Sequence, residues 1–144
     1  MKAFDDIAPG MTFTSASRTV TEADVVNYAG VTGDFNPLHM DAAWAAGGPF
    51  GARVAHGLLV TAVSNGLRSD VDDWDVLAYL QTTRKFVGPV FFGDTIAVRG
   101  AVREVRRSTS KPDRGIVTVE IRAINQHGET VQEGEDVYMV GSAS

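Results

Sequence analysis

A carboxylate and an imidazole, Asp34 and His39, share the run Gly33-Asp34-Phe35-Asn36-Pro37-Leu38-His39. Held on a bent segment, such a pair can share one water or one substrate proton, which is the arrangement general acid–base catalysis requires. Pro37 fixes its own φ and pushes Asn36 out of the α region, while Gly33 tolerates dihedrals that other residues avoid. The segment is therefore predicted to be neither a continuous helix nor a plain strand. Gly-Asp and Asn-Pro are also ordinary turn dipeptides, and an Asp in a turn commonly caps its own backbone. Asp34 by itself thus leaves turn formation and proton chemistry both open.

The surrounding residues separate the two readings. The stretch Asn27-Tyr28-Ala29-Gly30-Val31-Thr32 leads into the bent run, Met40-Asp41 follows it, and Ala55-His56-Gly57-Leu58-Leu59 comes later. Together they resemble the hydratase signature of the MaoC-like family, which includes the R-specific enoyl-CoA hydratases. The resemblance extends over essentially the whole chain and is specific from Tyr28 to Leu59; Phe86-Val87-Gly88-Pro89-Val90 and Gly93-Asp94-Thr95 are also family-like. It implies a hot-dog fold and the reversible hydration of trans-2-enoyl thioesters to (R)-3-hydroxyacyl thioesters. Asp34 and His39 match the family's catalytic acid–base residues, which activate the water and deliver a proton to the α-carbon; how they divide that work is open. Gly57 matches the residue whose backbone N–H binds the thioester oxyanion. Free amides in the first turn of a helix beginning near His56 would suit that role, with glycine permitting close approach.

Gly33, Asn36 and Pro37 are read as support for the turn, Asn36 by bonding nearby backbone. His56 is expected to be a buried structural imidazole and His127 a solvated one. Asp34, His39, Asp41 and His56 could in principle hold zinc or iron, but their spacing follows none of the short metal motifs, so no metal and no cofactor is expected. Some family members carry a serine nine residues after the His of His-Gly, where this chain has Asn65 beside Ser64. Phe35, Leu38, Trp44 and Phe50 are candidates for an acyl pocket, although aromatic residues are core by default and that is the expectation here.

These residues need elements to position them. Thr12 to Val20 is predicted as a short strand, and Thr21 as an N-cap for a helix that Gly30 ends, with Ala23, Val26 and Ala29 on its apolar face and Val25 and Tyr28 beside them. Asp41 to Ala46 suits a short helix stopped by Gly47. His56 to Leu67 reads as a helix apolar nearly all round, which must be enclosed. Two strands are expected between Val76 and Val105, broken at Gly88-Pro89 and Gly93-Asp94. Ile116 to Val140 alternates with a period of two about the turn Asn125 to Glu129, an antiparallel hairpin in which Gly134 marks a bulge. The fold class is thus α+β, an antiparallel sheet wrapped around a long central helix, in one domain spanning 1–144.

With 144 residues, 44% of them hydrophobic, the chain can bury a core of its own. Absence of cysteine removes disulfide, thiolate and iron–sulfur chemistry. A net charge of −5 is the wrong sign for general nucleic-acid affinity. Acids near the N-terminus and the lack of a long apolar run predict no signal peptide and no membrane span, hence a soluble, unprocessed, cytoplasmic protein. Arg99, Arg103, Arg106, Arg107, Lys111 and Arg114 form one basic stretch, read as a solvated face, with docking of a phosphorylated carrier as the alternative. The expected partner is an acyl-CoA or acyl carrier protein thioester, and a homodimer or higher homo-oligomer is expected through sheet edges. Two rival functions use the same fold. A thioesterase would want a carboxylate on the central helix, and Gly57 to Leu67 has none. A non-catalytic acyl-thioester-binding module or dehydratase subunit has no need of Asp34 and His39.

Overall fold

The structure, a computed structural model, describes residues 1–143. The residues following a 3-10 turn at Phe4–Asp6 form β1 (Thr12–Thr14) and β2 (Arg18–Thr19), so the strand expected over Thr12 to Val20 is split. The split follows from local bonding: Ser15 Oγ accepts from the Val98 N–H, and the Ala16 N–H turns away to the Arg68 carbonyl. Helix α1 (Glu22–Thr32) starts in a capping box in which Thr21 and Asp24 satisfy each other's backbone N–H groups. It runs through Gly30 and ends at Gly33, whose φ of 81° lies in the left-handed region. Gly30 was expected to end it, but the residue that can reverse the chain is Gly33. Val25 and Ala29 form its buried face, while Val26 is exposed, so the inward stripe is rotated from the expected one.

Next come α2 (Pro37–Met40), α3 (Ala42–Ala46) and α4 (Gly57–Gly66). Asn36 caps α2 by accepting from the Leu38 N–H at 2.9 Å, and Pro37 occupies the first turn, where a missing N–H costs nothing. Asp41 caps α3 by accepting from the Trp44 N–H. The remainder is four long strands: β3 (Val76–Phe86), β4 (Thr95–Arg107), β5 (Arg114–Ile124) and β6 (Thr130–Gly141). All pair antiparallel in the order β1-β4-β5-β6-β3, with β2 also on β4. Gly134 pairs in register with Arg84, so it is not the expected bulge. A Cβ there would fall on the Thr83 carbonyl, and the glycine serves a close backbone approach instead.

The inner face of the sheet receives α4. Leu59, Val60 and Val63 pack with Val20, Val25, Ile96, Ala123 and Val131, and a second cluster gathers Phe4, Phe13, Trp74, Val117, Val119 and Tyr138. Each such side chain contributes about 1.5–3 kcal/mol on burial. Enclosure of α4 is one-sided, contrary to expectation: Leu58 is 63% exposed, and Ala62 and Asn65 are exposed on the same face. Among the described residues strand β3 has a partner on one edge alone, β6, and it carries exposed Val76, Leu77, Tyr79, Leu80 and Phe86.

Candidate active site

Three segments close together in sequence build the cluster. The αL turn at Gly33 delivers Asp34, α2 delivers His39, and the residue before α4 is His56. Asp34 is fixed through its neighbours: its N–H donates to Thr32 Oγ1, and its Oδ1 accepts from the Asn36 N–H, both at 3.2 Å. Asn36 therefore bonds in both directions, closing the bend and starting α2. The segment bearing His56 is anchored on two sides, the Val54 N–H to the Leu38 carbonyl and the Ala55 N–H to the Val90 carbonyl.

The two imidazoles stack with centroids 3.8 Å apart, and the ring of Tyr28 lies 4.8 Å from that of His56. His39 and His56 are buried, whereas the Asp34 side chain is half exposed. The Nδ1–H of His39 donates to the Val54 carbonyl at 2.6 Å, which assigns that proton and leaves Nε2 with a free lone pair in the neutral ring. That Nε2 stands 4.0 Å from Asp34 Oδ2, too far for a direct hydrogen bond and suited to one water held by both. His56 Nε2 donates to the Asp34 backbone carbonyl at 2.9 Å, and its Nδ1 has no partner among the described residues. His56 thus orients the Asp34 backbone and stacks beneath His39. One nitrogen or oxygen from each of Asp34, His39 and His56 lies within 4.8 Å of the others. A metal there would have to take His56 Nε2 away from the Asp34 carbonyl that it bonds.

Gly57 is the first residue of α4, so its N–H belongs to the turn whose amides lack helical partners. The ring of Phe86 covers its Cα: a Cβ at this position would meet Phe86 Cε2 at 2.5 Å. The phenyl ring therefore packs directly on the glycine and walls the helix start, and any larger residue at 57 would have to displace it. Gln132, fully buried on β6, went unnoticed in the sequence. Its Nε2 donates to the Gly57 carbonyl at 2.7 Å and its Oε1 accepts from Thr61 Oγ1 at 2.7 Å, locking the first turn of α4 to the sheet. A polar residue at an inward position of an alternating strand was the signal available.

Phe35, Trp44 and Phe50 are 57%, 51% and 42% exposed, which overturns their expected place in the core. All three come from the short segments around α2 and α3, which leave them beyond reach of the sheet's inner face. Arg103 pairs with Glu135, Arg107 with Asp5 and Arg114 with Asp113, so much of the basic stretch is neutralised by adjacent carboxylates. A depression of about 880 Å³, lined by charges of both signs on β4, β5 and β6, shares no residue with the acid–imidazole cluster. Among the described residues no helix is long and apolar enough to cross a membrane.

A family model described as "MaoC like domain" matches residues 6–124. Protein MaoC of Klebsiella aerogenes is 42% identical over 68% of this chain, a match that spans 30% of that longer relative. The (R)-specific enoyl-CoA hydratase of Aeromonas caviae is 32% identical over 84% of this chain and 87% of its own length. Among solved structures, the MaoC-like dehydratase from Rhodospirillum rubrum superposes with a TM-score of 0.85 at 28% identity, covering 100% and 99% of the two chains. A Mycobacterium tuberculosis protein described as a double hot-dog fold gives 0.82 at 20% identity over 99% of this chain and 44% of its own, a likeness of fold alone. Sheet, central helix and the match over most of its length agree: the chain belongs to the MaoC-like domain family.

Proposed function

We propose that the chain is a hydro-lyase that adds water across the 2,3 double bond of trans-2-enoyl thioesters, giving (R)-3-hydroxyacyl thioesters, and catalyses the reverse dehydration. The observation that carries this reading is the 4.0 Å gap between Asp34 Oδ2 and His39 Nε2. A water in that gap has two proton acceptors within hydrogen-bond reach. As its oxygen bonds to C3, the pair takes one proton; as C2 is protonated, the pair returns one and ends in its starting state. Negative charge gathers meanwhile on the thioester oxygen, and the Gly57 N–H at the positive end of α4 is the donor placed to meet it. Gln132 and Phe86 hold that helix start in position. Relatives whose names carry an activity are hydratases and dehydratases, including the 3-hydroxybutyryl-CoA dehydratase of Methylorubrum extorquens, which supports the reaction class.

The carrier is coenzyme A or acyl carrier protein, and residues 1–144 act as one hot-dog unit in the cytoplasm with no cofactor. A homodimer is the working form: the apolar open edge of β3 and the uncovered Leu58 row of α4 together make a surface that a second copy would bury. The test is incubation with crotonyl-CoA, following both the absorbance of the conjugated thioester and the release of free thiol. Loss of absorbance without thiol is expected. Thiol release would indicate hydrolysis instead, and silence in both would favour a binding module.

A further inference from the structure

We infer that the carrier of the thioester is coenzyme A, its adenine seated in a slot beside α3. This inference rests on the hydratase reading and deepens it. The slot, a cavity of about 310 Å³, is lined by Ala42, Gly51, Ala52, Arg53, Phe91 and Phe92. None of these belongs to the β3 edge or to the Leu58 row that a second copy would bury, and Ala42, Gly51 and Ala52 are exposed.

Its walls suit a flat, uncharged ring. Between Asp41 and Arg53 the chain carries no charged residue, and small residues leave room: a Cβ on Gly51 would meet nothing within 4 Å. The Arg53 guanidinium lies over the Phe92 ring, 4.7 Å from its centroid, and donates to Glu22 at 2.8 Å, which holds it there. The Arg53 side chain is nonetheless 24% exposed, so part of it is open to a guest. Nucleobases stack on guanidinium planes and on aromatic rings alike. A phosphate is the poorer match, because the one cation of the slot is already neutralised by Glu22. The N–H groups of Ala52 and Arg53 have no backbone partner among the described residues and can donate to the ring nitrogens of a base.

The slot stands within reach of the reaction. Four chain steps lead from Arg53 to Gly57, a span of no more than ~14 Å, and the Val54 carbonyl on that path accepts from His39 Nδ1. The pantetheine-diphosphate arm that joins sulfur to base in coenzyme A is longer than this span and can cover it. An acyl carrier protein presents the same pantetheine without a base, so the slot separates the two carriers.

The experiment compares kcat/KM for crotonyl-CoA, crotonyl-pantetheine and the crotonyl thioester of an acyl carrier protein. In the wild-type protein crotonyl-CoA should exceed crotonyl-pantetheine by about tenfold, the worth of one stacked base, with the difference in KM. The carrier-protein thioester should fall with the pantetheine one. Equal use of the CoA and pantetheine thioesters, or a preference for the carrier protein, overturns the inference. Ala42→Trp, which fills the slot, should remove the advantage of crotonyl-CoA over crotonyl-pantetheine, and Ala52→Trp serves if that variant fails to fold. A folded variant that keeps the advantage also overturns the inference. Failure of all three thioesters to turn over would overturn the hydratase reading and this inference with it, a result distinct from turnover without preference for CoA.

Discussion

The acid–imidazole cluster and the Arg84–Asp136 cluster are built in opposite ways. Asp34, His39 and His56 come from neighbouring segments, and the carboxylate is open to solvent while both rings are buried. Arg84 and Asp136 stand 52 residues apart in sequence, meet through the pairing of β3 with β6, and are both sealed. Burial pushes the Tyr138 hydroxyl pKa far up, with the nearby Asp136 charge adding to the effect. Tyr79 is raised first by burial as well. Burial works against the Arg84 charge, but the Asp136 hydrogen bond and charge more than offset it and hold the guanidinium protonated. An open carboxylate beside a free imidazole nitrogen can exchange protons with a guest. A sealed pair with its charges spent on each other contributes shape and polarity.

The largest difference between the two should appear in turnover. Asp34→Asn and His39→Ala are each expected to lower crotonyl-CoA hydration by about 10²–10⁴-fold; Asp34→Asn should leave the melting temperature nearly unchanged, whereas His39→Ala should also lower it, because the ring is buried, stacks on His56 and donates to the Val54 carbonyl. Near-normal activity in either variant would remove that residue from the chemistry. The reverse pattern is expected at the second cluster. Asp136→Ala alone leaves Arg84 buried and unpaired and should cost about 3–5 kcal/mol in denaturant unfolding. Replacing both partners by apolar residues should cost far less, and equal losses in the two cases would show that the pair is not sealed as described.

Gln132 links the regions, since it lies on the same strand as Asp136 but holds the Gly57 turn. Gln132→Leu strands the Thr61 hydroxyl without its side-chain acceptor and loosens the helix start. A fall of about tenfold in kcat with little change in KM is expected, because an oxyanion donor is strained for in the transition state. A change confined to KM would give Gln132 a binding role instead.

The smallest effect concerns Asp5, whose carboxyl is held below the usual range by the Ser142 hydroxyl and by Arg107. Because the folded pKa is depressed, its stabilisation is present above the unfolded carboxylate value and is lost as pH falls through the folded one. Asp5→Asn should therefore lower the melting temperature slightly at neutral pH, less so at high salt, and not at all in strong acid.

The contrast between the clusters also explains what could be read from the residues alone. Gly33 to His39 bends for reasons contained within itself, so the juxtaposition of acid and imidazole was foreseeable, as was the hairpin of β5 and β6 from its period of two. Gly30 and Gly33 could not be ranked, because either glycine can end a helix and the choice depends on which one the following chain must reverse at. Arg84 and Asp136 were invisible, since their meeting depends on strand register. Phe35, Trp44 and Phe50 were misplaced for a related reason: hydrophobicity says that a ring seeks cover, and the fold decides whether this chain supplies it. The exposed face of α4 teaches the same lesson. Its all-round apolar pattern demands enclosure, and its own sheet encloses one side.

The central claim is that one water sits between Asp34 Oδ2 and His39 Nε2, with the thioester oxygen at the Gly57 N–H. A crystal structure of the protein with butyryl-CoA, a saturated thioester that cannot be hydrated, tests it directly. The account predicts a water within about 2.6–3.2 Å of both side-chain atoms and the thioester oxygen at similar distance from the Gly57 nitrogen. A thioester bound elsewhere, or at that helix start with Asp34 and His39 turned away from it, would contradict the account.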